Sequence, residues 1–401
     1  MAQRRSASSG TIGAVILLAL SIACVAVALW AGQRSAHIQG PSTLGALPDG
    51  SVWLVVDDDL WLLGPNGQKL SQQRWSSTSL PASPATLAYR ASTQELYALS
   101  RGSPVVEVLH PRTAAPLRRI TLQWPAAFQT HLGGALWLAV HEDGRMAVAT
   151  GSGHAVLLFD QAGKHLATTQ PGTYRYTNDL WWDLDQLWTT DTNGQALVLL
   201  DGLSLKELRR LPLNSEHPWR FTALAKPHPH AGISALAPRA TLSRLDGQMR
   251  LGRVVQVWAD GREEELKLGP QAEPVDLSWA GDTLLVVDAH DWRIRRFDTL
   301  NQGLSDFGSE AVRAELADLR REKRQFKLLN RAGVSVAVGL LVAGVLWTLW
   351  ARKQRESGSV AQAAAQARFL GTPMLPRAQL LRGALTVFWP MLTVVLLMVV
   401  L

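Results

Sequence analysis

The sequence predicts an all-β fold, a six-bladed β-propeller, with one N-terminal and two C-terminal transmembrane helices. Three observations carry this. Three long uncharged apolar runs stand at the two ends of the 401-residue chain, and a fifteen-residue strand–turn–strand unit recurs between them. The unit returns every 40–50 residues, the blade length of propellers.

The first apolar run follows a short N-terminus (1–10) expected to be cytoplasmic. Residues 11–31, TIGAVILLALSIACVAVALWA, carry no charge and are long enough to cross about 30 Å of hydrocarbon as a helix. Arg4 and Arg5 precede this run, as in a signal peptide. Its length, and the lack of a small-x-small cleavage site in the flanking ALWAGQ, favour a retained signal anchor.

From 45 to 308 the chain reads as the propeller. LYALSRGSPVVEVLH (96–110), MAVATGSGHAVLLFD (146–160), LWTTDTNGQALVLLD (187–201) and LLVVDAHDWRIRRFD (284–298) align without gaps. Each has an apolar run, a polar or glycine-containing turn and a second β-prone run, the pattern of a hairpin. Two weaker copies lie at 52–70 and 242–268, the first with a shortened turn at 57–59 and the second with a lengthened one. A sheet with two apolar faces cannot bury them alone, whereas radial stacking buries each face against the next sheet.

The segment VVDAHDWRIRRFD, with Asp288 before the turn and an isoleucine and an aromatic in the next strand, resembles the NHL-repeat family of six-bladed propellers. The resemblance covers about 250 residues and implies the fold. It leaves function open, because such propellers include binding modules, lactonases and lyases. Lactonase-type members use acidic and Asn residues that converge on the central channel, a set with no residue-by-residue match here.

After the propeller, 310–331 reads as a basic amphipathic linker helix, with no proline or glycine to stop it before the apolar run 332–350. A basic loop (351–382) and a third run (383–401) complete the chain. The net charge is +7, yet the membrane-flanking stretches hold +12, so residues 35–312 sum to −5. That distribution excludes a nucleic-acid surface and places the basic character at membrane borders. The positive-inside tendency puts the N-terminus and the 351–382 loop in the cytoplasm of a bacterial inner-membrane protein and the propeller in the periplasm. Cys24, the one cysteine, lies in the first span, so the propeller holds no disulfide.

Candidate chemistry is sparse. His228 and His230, in KPHPHAG, have the spacing of a metal pair but no neighbouring third ligand. Asp57, Asp58 and Asp59 lack the spacing of a calcium loop and read as a polar turn. Asp191 and Asp288 recur at one repeat position, which suits a turn-stabilising carboxylate better than a catalytic one. Tyr174, Tyr176, Trp181 and Trp182 crowd into YRYTNDLWWD, where rings either hold a ligand or fill the space between blades. His290, Asp291 and Trp292 fill a variable turn and are expected at the surface, within reach of a partner. No cofactor motif is present. The expectation is a non-catalytic, membrane-anchored propeller that binds a protein or ligand as an accessory or scaffold subunit of an envelope complex. The alternative is an anchored metal-dependent hydrolase or lactonase.

Overall fold

The computed structural model describes residues 3–75, 84–100, 102–132, 137–214, 218–223, 239–244, 252–257 and 263–370. The chain divides into two units, 1–29 with 329–401, and 30–328.

The larger unit holds six four-stranded antiparallel sheets, at 41–74 (β1–β4), 84–121 (β5–β8), 137–168 (β9–β12), 177–212 (β13–β16), 218–266 (β17–β20) and 274–307 (β21–β24). Within each sheet, strand order follows chain order. The first strands are β1 (Pro41–Ala46), β5 (Pro84–Arg90), β9 (Trp137–Val140), β13 (Thr177–Asp183), β17 (Pro218–Ala223) and β21 (Pro274–Ala280). Each of these touches the first strand of the next sheet, and β21 returns to β1, so they line the centre of a β-propeller.

Burial follows position in the sheet. The second strands are buried on both faces, as VWLVV (Val52–Val56) shows, because each sheet is sandwiched between two others. The fourth strands alternate or are largely exposed, as KLSQQR (Lys69–Arg74) does at the rim. Among the described residues, six hydrophobic clusters sit in the six gaps between successive sheets. Burying a leucine or valine in such a gap contributes about 1.5–3 kcal/mol.

The ring closes without exchanging a strand. Leu44, Leu54 and Trp61 of the first sheet pack against Leu285, Ile294 and Phe307 of the last. The seam is completed by Val312 and Leu316 from the start of a helix, α2 (Glu310–Leu370), which fill the same cluster. Ser309 N donates to Gly67 O at 2.8 Å, and Lys69 Nζ meets Glu315 at 2.6 Å. Gly67, at φ +76°, lies so close that a Cβ there would stand 2.5 Å from Gly308 Cα.

The smaller unit pairs the N-terminal helix α1 (Gln3–His37) with the later part of α2. Ser21 Oγ donates to Ala337 O at 3.0 Å, and Asn330 Nδ2 to Ala28 O at 3.0 Å. Gly13 lies beside Trp347 and Gly333 beside Cys24 and Ala28, so the helices run antiparallel. Small residues permit this approach. Val15, Ile22, Val342 and Leu346 are each more than half exposed. Both helices are long and apolar enough to cross a membrane. The helix expected at 310–331 and the run at 332–350 form one uninterrupted helix, which continues to Leu370 through residues the sequence reads as loop. The third apolar run, 383–401, lies outside the described residues.

Candidate functional site: the charged centre of the ring

Five of the six first strands begin the same way. Proline opens β1, β5, β17 and β21, and threonine opens β13, each followed by a register shift against the second strand. Proline suits that place because it has no N–H to give a ladder and tolerates the irregularity. The third residue in these strands is Thr43, Thr86, Asp179, Arg220 or Asp276, so one register position near the axis is polar in five sheets.

Three of the five are charged and meet. The Arg220 guanidinium places Nε 3.4 Å from Asp276 Oδ1 and Nη1 3.8 Å from Asp179 Oδ1, and its Cζ lies 5.1 Å from the centre of the Trp137 ring. Asp276 also accepts Leu44 N at 2.8 Å and Leu277 N at 3.0 Å. A single guanidinium thus ties four successive sheets, and one of its carboxylates binds the first sheet as well. Asn178 beside it donates to Thr192, whose hydroxyl donates to Pro218 O at 2.6 Å.

Two carboxylates face one cation, with Arg220 and Asp276 buried and Asp179 half-buried beside them. Burial pushes Asp276 above its ordinary carboxylate value, against the pull of Arg220 and the two backbone donors. Among the described residues the centre sets two carboxylates against one guanidinium, an arrangement suited to holding sheets in register. Among the described residues no three His, Cys, Asp or Glu side chains converge as metal ligands.

A second recess, of about 670 Å³, opens between the first two sheets, where Arg112 pairs with Asp49 at 2.5 Å beside Tyr89 and Glu95. Arg118 holds Glu95 down to about 2, helped by the hydroxyls of Thr93 and Tyr97 against the opposing effect of burial.

The residues singled out from the sequence disperse. Trp181 packs into the gap between the fourth and fifth sheets, whereas Trp182 and the buried Tyr174 pack into the gap between the third and fourth. Adjacent residues of a strand face opposite ways, so the two tryptophans share no pocket. Tyr174 lies under Arg210, and Tyr176 meets His154 edge-on. His228 and His230 lie outside the described residues.

The turn 289–292 departs from the expected free surface. Trp292 is only 6% exposed, at φ +58°, packed against Gly40 with Lys323 Nζ 5.7 Å from its ring. Asp291 pairs with Arg295 and Arg320, each at 3.1 Å, and His290 Nε2 stands 4.0 Å from it. The turn therefore holds the start of β1 and the first turns of α2. Asp288 accepts backbone N–H groups of Glu273 and His290 and pairs with Arg295, and Asp191 does the same with Arg175 N and Arg210. Asp288 thus stabilises its own turn through His290 N, whereas the backbone groups on Asp191, Arg175 N and Tyr176 N, precede β13.

No protein-family model matches the chain, and no curated protein matches it in sequence. Among solved structures it is similar to a streptogramin B lyase, with 14% identity over 70% of this chain and 86% of that one, at a TM-score of 0.48. It is also similar to a selenomethionine-substituted virginiamycin B lyase from Staphylococcus aureus, with 14% identity over 68% and 85% of the two chains, at a TM-score of 0.47. The propeller assignment rests on the sheet order and the cyclic contacts themselves.

Proposed function

We propose that the chain is a membrane-anchored propeller of six blades, one per sheet, that binds a protein or ligand as an accessory or scaffold subunit of a bacterial envelope complex. The observation behind this is the helix pair. Two antiparallel helices present apolar side chains outward and meet through small residues, and the second begins as part of the propeller's own seam. Two crossings return the chain to the side of its N-terminus, so the propeller between them lies on the other side. With Arg4, Arg5 and the basic residues after 351 in the cytoplasm, the propeller is periplasmic. A reporter inserted after Leu300 that requires export for activity should be active, with the protein resisting alkaline extraction from membranes. A reporter active only in the cytoplasm would reverse the orientation.

The raised carboxylate of Asp276 favours a second reading, because acids perturbed by burial beside a specific charge partner gather at active sites. In that reading the chain is an anchored hydrolase or lactonase. Metal analysis of the purified chain, with a thermal-shift assay on adding Ca²⁺ or Zn²⁺, separates the two. No bound ion and no shift would remove the metal-dependent enzyme.

A further inference from the structure

Each blade has two turn ends. One carries the turn between its second and third strands, and the other carries the two remaining turns. Every exposed leucine of the described propeller belongs to the second end. Most stand singly on outer strands, which is ordinary for a protein surface. The fourth sheet differs, because Leu184, 86% exposed, and Leu203, 67% exposed, lie on two turns joined by a hydrogen bond from Gly202 N to Asp185 O of 3.1 Å.

The setting of this pair is specific. Leu184 occupies the first position of a two-residue hairpin turn at φ +53°, where glycine, asparagine or aspartate is favoured. Neither the turn nor burial explains a leucine there. Carboxylates surround the pair, with Asp185, 87% exposed, and Asp201 on the same turns and Asp143 on the neighbouring sheet. Against the opposing effect of burial, Arg145 N, His141 and the Arg145 side chain hold Asp143 down to about 2. Arg145, 11% exposed, pairs with Asp143 at 2.7 Å and approaches Asp185 at 3.4 Å. The exposed Lys206 closes the turn that carries Leu203, so the outward face is apolar at its centre and its edge sets three carboxylates against Arg145 and Lys206, negative overall.

We propose that this end of the fourth blade is the docking site for a partner protein that presents an apolar side chain flanked by lysine or arginine. The inference rests on the partner-binding reading of the propeller and names the chemistry of that partner. Charge decides among occupants. A second copy placed face to face would set Asp185 and Asp201 against their equivalents, and an anionic lipid surface would meet the same repulsion.

The test uses the full chain in its native membrane, with a photo-crosslinking amino acid at Leu184 or Leu203. The control position is the exposed Asn193, on the opposite turn end of the same blade. The expected result is one discrete protein adduct from positions 184 and 203, absent from 193, whose crosslinked peptide contains basic and apolar residues. Asp185→Lys should lower that adduct about tenfold without moving the melting temperature, since charge reversal at an exposed rim acts on association. An adduct of twice the chain mass, lipid adducts alone, or insensitivity to Asp185→Lys would overturn the proposal. An adduct from 193 only would overturn this site while leaving the scaffold reading standing. No adduct from any position would count against both.

Discussion

Arg220 is the residue on which the centre of the ring depends. Replacing it by methionine removes the guanidinium from the buried Asp276, and breaking a buried ion pair typically costs about 3–5 kcal/mol. Asp276 sits above its ordinary value in the folded chain, so the folded state binds a proton that the unfolded state releases more readily. Any stability tied to that proton is present below the folded pKa and lost as pH rises through it. Arg220→Met should therefore melt closer to the parent as pH falls, and adding Asp276→Asn should recover part of the loss. Glu95 behaves in the opposite sense. Its value is lowered from 4.5 to about 2, so its contribution is present above 4.5 and lost as pH falls towards 2. Glu95→Gln should melt lower than the parent at neutral pH and converge with it in acid. At Leu184 the φ of +53° predicts that Leu184→Gly is neutral or stabilising by up to about 1 kcal/mol, by thermal melting, while weakening the crosslink. The buried carboxylates Asp191 and Asp288 were legible because the repeat shows them twice. Asp179, Arg220 and Asp276 were not, because their register position holds two threonines, two aspartates and an arginine, so no one residue type recurs through the sheets to mark it. The signal available was positional, the third residue after the proline or threonine that opens each first strand.

At the scale of elements, α2 closes the seam with its first turns. Leu316, 2% exposed, lies in the cluster between the first and last sheets. Leu316→Ala should cost about 2–5 kcal/mol. Hydrogen exchange should rise first in β1 and β21 and leave β13 protected, and uniform deprotection would contradict a seam-specific role. In the helix pair, a Cβ on Gly333 would stand 2.9 Å from the Ala28 Cβ. Gly333→Leu should lower the melting temperature in detergent far more than Leu346→Ala, which trims an exposed side chain. Hairpins were readable from the sequence because strand and turn alternate with a fixed length. The role of 289–292 was not, since a variable turn carries no mark of the helix packed over it. Trp292 shows this most plainly, as a tryptophan in a polar turn that is buried by residues before the first strand and after the last.

At the scale of the whole molecule, hydrophobic runs and the charge distribution marked off apolar segments at both ends from a propeller between them, and the first two of the three runs are the described helix pair. Ring closure could not be read from repeats, because each sheet is complete in itself and the closing contacts come from outside the repeat. Those contacts join the first and last parts of the propeller, Leu44 with Asp276 and Gly67 with Ser309. Their sequence separation makes them the slowest contacts to form, since loop-closure entropy must be overcome first. While the chain is being synthesised, the first sheet has no neighbour on one side. It gains that neighbour only when residues 274–316 have been made, so its apolar face on that side stays open for most of the time the propeller takes to emerge.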